Sequence, residues 1–125
     1  MARRFLLFAA VNGFVVVVLG AFGAHALEAR LSADLLDTWH TAVQYQMFHT
    51  LGLLTVAALA ATQPATPALQ WSGRLFVAGL LLFCGSLYVL ALTGIRVLGA
   101  ITPVGGVAWL VAWGLLARVA LAYKA

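Results

Sequence analysis

Charged positions are confined to a few short clusters. Between them run four uncharged stretches, Phe5–Leu27, Thr38–Gly73, Leu75–Ile95 and Val97–Ala117. A hydrocarbon core about 30 Å thick is crossed by roughly 20 apolar helical residues, so each stretch holds a span and the second also holds a loop. The pattern predicts an all-α integral membrane four-helix bundle in one domain over residues 1–125, with spans near 5–26, 38–61, 72–92 and 99–121. In the first loop Ser32 suits an N-cap, and Asp34 falls in the first turn, where negative charge complements the helix dipole. The second helix is therefore expected to start near Ala33, with residues 33–40 as an interfacial start outside the hydrocarbon. Thr62-Gln63-Pro64-Ala65-Thr66-Pro67 separates the second span from the third. Thr102-Pro103 has two readings: an N-cap followed by proline at the first helical position, or a kink in a helix beginning near Leu98.

Composition supports this reading. Hydrophobic residues make up 65% of the chain and charged residues 8%, against about 25% charged in a soluble domain. The net charge of +4 is spread along the chain at span ends, the signature of membrane insertion, so no nucleic-acid partner is expected. With both termini cytoplasmic, Arg3, Arg4, Arg74, Arg118 and Lys124 lie inside against Arg30 and Arg96 outside, the orientation that the positive-inside rule favours. All three acidic residues, Glu28, Asp34 and Asp37, then face outward. Arg3-Arg4 and the following apolar run share features with a signal peptide. The run is longer than a signal's apolar region and contains glycines, which favours a retained first helix. No internal repeat relates the first pair of spans to the second. The lone Cys84 excludes an intramolecular disulfide and reads as a small buried hydrophobe.

Candidate chemistry concentrates in the outer half of the second helix, where His40, Thr41, Gln44, Tyr45, Gln46 and His49 crowd together. Polar groups in lipid are costly unless paired, so His40, Thr41, Gln44, Tyr45 and His49 are expected to face the bundle interior. Val43, Met47, Thr50 and Leu54 are then expected to face lipid, with Gln46 at the edge. Asn12 and His25 of the first span are the expected partners. This makes His25, Gln44, Tyr45, His49 and Asn12 a candidate ligand-binding face for a quinone or lipid headgroup. Haem ligation by facing histidines and a metal site built from His25, His40, Asp37 and Glu28 are weaker readings of the same residues. No cofactor or metal is expected. Gly85-Ser86 with His49 lacks an orienting third group and an oxyanion hole, so no catalytic residue is assigned. Trp39 and His40 are expected at the outer interface. Trp109 and Trp113, one turn apart, are expected to pack inside. Gly13, Gly20, Gly23, Gly85, Gly105 and Gly106 are candidate positions of close helix approach.

Four ordered motifs carry a resemblance. They are Gly20-Ala21-Phe22-Gly23-Ala24-His25-Ala26-Leu27, Trp39-His40-Thr41-Ala42-Val43-Gln44-Tyr45-Gln46-Met47-Phe48-His49, Gly85-Ser86-Leu87-Tyr88 and Leu98-Gly99-Ala100-Ile101-Thr102-Pro103-Val104-Gly105-Gly106. Across essentially its whole length the chain resembles the family of small bacterial inner-membrane proteins that includes YgdD and YwdK, which has a eukaryotic branch. The resemblance implies a four-span inner-membrane protein of no assigned activity and supplies no catalytic residues. The expectation is a non-enzymatic accessory, assembly or lipid-organising protein, with lipid and a homo-oligomer or larger membrane complex as partners. The alternative is a binder or carrier of a small hydrophobic molecule.

Overall fold

The computed structural model describes residues 1–124, and every regular element in them is helical. Four helices follow one another: α1 Ala2–Leu27, α2 Ala33–Thr62, α3 Pro67–Thr93 and α4 Arg96–Leu121. Each packs along the next in sequence, so α2 and α3 form the central pair and α1 and α4 flank it. α1, α3 and α4 are each long and apolar enough to cross a membrane. The 30 residues of α2 span about 45 Å, and Gln44, Gln46 and His49 make it less apolar than the others. Large apolar side chains cover the outside of the bundle, with Phe14 and Val17 of α1 exposed at 74% and 70%. A soluble monomer rarely shows so much contiguous apolar surface, whereas lipid solvates it.

Capping explains where the helices begin and end. Ser32 accepts from the Leu35 N–H at 3.2 Å, and Thr66 accepts from the Leu69 N–H at 3.3 Å with Pro67 in the first turn. α3 therefore starts directly at the proline break. It ends on Gly94, whose φ of +72° is the left-handed conformation that only glycine adopts cheaply. A 3-10 turn, Arg96–Ala100, opens α4, and the α-helical part begins at Thr102 with Pro103 in its first turn. Thr102 does not cap it. Its hydroxyl lies 2.6 Å from Ser86 Oγ, and Ser86 donates to the Phe83 carbonyl at 3.0 Å, so the Thr102 hydroxyl is the donor of the pair.

Two π-helical turns are not visible in the hydrophobic pattern: Gly23–Leu27 closes α1 and Leu80–Cys84 interrupts α3. The second turn brings the Phe83 backbone against Gly105 of α4, where a Cβ would lie 2.5 Å from the Phe83 nitrogen. The main core runs through Ala9, Leu53, Val56, Leu69, Phe76, Leu80, Cys84, Trp109 and Ala112. A smaller cluster of Leu27, Trp39 and Ala91 sits towards the α1–α2 loop. Both termini share one end of the bundle with the α2–α3 loop, since Met1 and Arg4 share a cavity with Gln70 and Arg74, and Gln63 and Thr66 share another with Arg118 and Tyr123.

Candidate functional site

The inward stripe of α2 runs Trp39, Ala42, Gln46, His49, Leu53 and Val56, alternating steps of three and four residues. Gln46, not Gln44, is therefore the inward amide. The two are about 200° apart around the helix, and Gln44 is exposed. Thr50 is also buried rather than turned to lipid, and its hydroxyl has no hydrogen-bond partner. The expected polar face was centred on the densest run of polar residues. The bundle instead buries the stripe whose large and small apolar members fit α1 and α3.

Gln46 joins three helices. Tyr88 of α3 donates its hydroxyl to Gln46 Oε1 at 2.7 Å, and Gln46 Nε2 donates to Asn12 Oδ1 of α1 at 3.2 Å. Asn12 Nδ2 then donates to the Phe8 carbonyl at 3.0 Å. Each amide thus uses both its oxygen and its nitrogen, the condition under which buried polar groups support a bundle. Asn12 does reach α2, but its partner there is Gln46 rather than a residue of the expected face.

His49 sits deeper, within an aromatic cluster. Its ring lies parallel to Trp109 at 3.5 Å between centroids and 4° between planes. Its Nδ1 lies 2.8 Å from the Tyr45 carbonyl, which can only accept, so the proton is on Nδ1. Tyr45 is half-exposed, packs on Phe83 at 4.8 Å, and lies nearly parallel to both His49 and Trp109. The Ser86–Thr102 pair satisfies Ser86, which is not bonded to His49.

The remaining expected residues do not join this cluster. His25 is exposed, because in the π-turn at the end of α1 it is Gly23 and Leu27 that turn inward. Trp39 is buried rather than interfacial, and its indole N–H donates to the Leu19 carbonyl at 2.9 Å across the place where Gly23 lacks a side chain. His40 is half-buried one position further round. No cluster of three metal-ligating side chains forms among the described residues.

The candidate packing glycines divide in the same way. Gly23 and Gly105 are sites of close approach, whereas a Cβ at Gly20 would meet Val43, and one at Gly106 would meet Phe83, without a clash. Gly13 and Gly85 face open space. Gly79, another small residue that the sequence marks as interfacial, sits against Trp109, whereas sequence reasoning missed Gly52 against Phe76 and Gly73 against Phe5. It also gave no role to Tyr88, although Tyr88 lies within one of the quoted motifs. The three-four spacing from Trp39 to Val56 was the available signal for Gln46.

Comparison with known proteins agrees with this architecture. Residues 19–106 match the family described as a protein of unknown function, DUF423. The chain is 46% identical over 121 residues to the membrane protein YwdK of Bacillus subtilis, covering 97% of this chain and 98% of that protein. It is 42% identical over 125 residues to the inner membrane protein YgdD of Escherichia coli, covering 99% and 95% respectively. No solved structure matches. With a matched segment that includes Gln46, Tyr88 and both π-turns, and with relatives aligned nearly end to end, this chain belongs to the DUF423 (UPF0382) family of membrane proteins.

Proposed function

We propose that this protein is a non-enzymatic accessory component of the membrane, stabilising or assembling a larger complex, with both termini in the cytoplasm. The observation that carries the reading is the closed network Asn12–Gln46–Tyr88. Polar side chains from three helices are engaged with one another rather than aimed into a cavity. The two cavities at the shared-terminus end are lined by none of His25, Gln44, Tyr45 or His49. The orientation rests on the excess of Arg and Lys at the end holding both termini.

One observation favours a second reading, the binding of a small hydrophobic molecule such as a quinone. The Tyr45 ring is 45% exposed and lies nearly parallel to the buried His49–Trp109 stack, which offers an aromatic edge to the lipid phase.

Native mass spectrometry of the protein ejected from its own membrane vesicles separates the two. A reproducible protein partner without a small-molecule adduct is the expected result. A stoichiometric small-molecule adduct, lost in His49→Leu while the bundle stays intact, would overturn the accessory reading in favour of the binder.

A further inference from the structure

At the end where the termini meet, a groove of about 520 Å³ opens between the α2–α3 loop and the last turns of α4. Its floor is apolar, formed by Leu115, Val119 and Ala122, and Pro64 and Pro67 stiffen one wall. Trp71 and Tyr123 stand half-exposed at its rim, as aromatic side chains do at headgroup depth. Arg118 also lines the groove, and the only ion pair among the described residues, Arg96–Asp34, lies at the other end of the bundle. The first turn of α3, Thr66 to Ala68, lines the same space and carries the positive end of the helix dipole.

The charge distribution says what would fill the groove. Arg3, Arg4, Arg74, Arg118 and Lys124 all lie at this end, whereas Glu28, Asp34 and Asp37 all lie in or beside the α1–α2 loop at the other. Arg74 stands over the Trp71 ring at 5.0 Å, adding a second cation beside the groove. General attraction to the cytoplasmic leaflet accounts for dispersed span-end cations. It does not account for an apolar trough that has one of them in its lining. We infer that this groove seats one anionic phospholipid, with its phosphate at Arg118 and the first turn of α3 and its acyl chain along Leu115 and Val119. The inference stands independently of the accessory role.

The test uses the full-length protein in nanodiscs containing equal phosphatidylglycerol and phosphatidylcholine, with native mass spectrometry counting the lipid that survives stripping of the disc. Wild type is expected to retain phosphatidylglycerol preferentially. One basic residue near a membrane surface contributes about 1 kcal/mol to anionic-lipid attraction, so Arg118→Gln should lower that preference about five-fold. Arg3→Gln, at the same end but outside the groove, should leave it nearly unchanged. Equal retention of the two lipids by wild type would overturn the inference. So would an equal loss in Arg3→Gln and Arg118→Gln, because the charge would then act diffusely. Arg118 is exposed, and an unchanged unfolding midpoint in detergent would show that Arg118→Gln keeps the fold.

Discussion

In the hairpin α1–α2, Trp39 seats its indole against Gly23 and donates to the Leu19 carbonyl at 2.9 Å. In the hairpin α3–α4, Trp109 seats its indole against Gly79 and donates to the Phe76 carbonyl at 3.2 Å. Gly23 opens one π-helical turn, and Gly79 immediately precedes the other. A helical carbonyl already holding its backbone bond has a second lone pair, and a missing Cβ one turn further on opens a path to it. The device solves a lipid-specific problem, since an indole N–H without an acceptor in hydrocarbon is costly. What differs is the setting. Trp39 is backed by the small cluster of Leu27 and Ala91 near a loop, with Tyr88 at 4.6 Å. Trp109 lies in the main core, stacked on His49 and packed on Phe83 at 4.6 Å. Each contact therefore joins three helices, one beside the α1–α2 loop and the other within the main core.

That contrast orders the expected losses of stability in reversible unfolding from detergent. Trp109→Ala should cost about 3–5 kcal/mol, the range for deleting a large buried aromatic. Trp39→Ala should fall at or below the lower end, because its site lies beside a loop that can settle into the gap. Equal losses would erase the distinction between the hairpins. Gly79→Val should cost about 1–3 kcal/mol, since the added methyls meet the indole of Trp109 and both helices must part. Gly13→Val, with open space around it, should change stability by less than about 0.5 kcal/mol. Gln46→Leu should cost about 0.6–1.7 kcal/mol by leaving Asn12 and Tyr88 without their shared partner. Gln44→Leu should be nearly silent, and a larger loss there than at Gln46 would mean that the inward face has been misassigned.

The four helices and their breaks were legible because lipid and proline impose strong local rules. Uncharged runs mark the spans, and the Ser32 cap sits where the sequence predicts it, whereas Thr66, legible only as part of the proline break, also caps α3. The inward face of α2 was less legible. Gln44 and Gln46 are chemically identical, and only the fit of Trp39, Ala42, Leu53 and Val56 against neighbouring helices chooses between them. The fate of Trp39 was hidden for a related reason. An aromatic at a helix start ordinarily belongs to the interface, and its burial depends on the gap at Gly23, a residue of another helix. The pairing of the two hairpins was likewise invisible as a sequence repeat, because its elements are a glycine and a tryptophan at different separations, Gly23 with Trp39 and Gly79 with Trp109.

The central claim is that the polar side chains of α2 hold helices together. A double-mutant cycle of Gln46→Leu and Tyr88→Phe, read as unfolding free energy in mixed detergent micelles, tests it most directly. The account predicts a coupling of about 0.6 kcal/mol or more between the two positions, in line with interhelical hydrogen bonds in membranes. Losses that simply add, within about 0.3 kcal/mol, would contradict it and leave the Asn12–Gln46–Tyr88 network without a structural role.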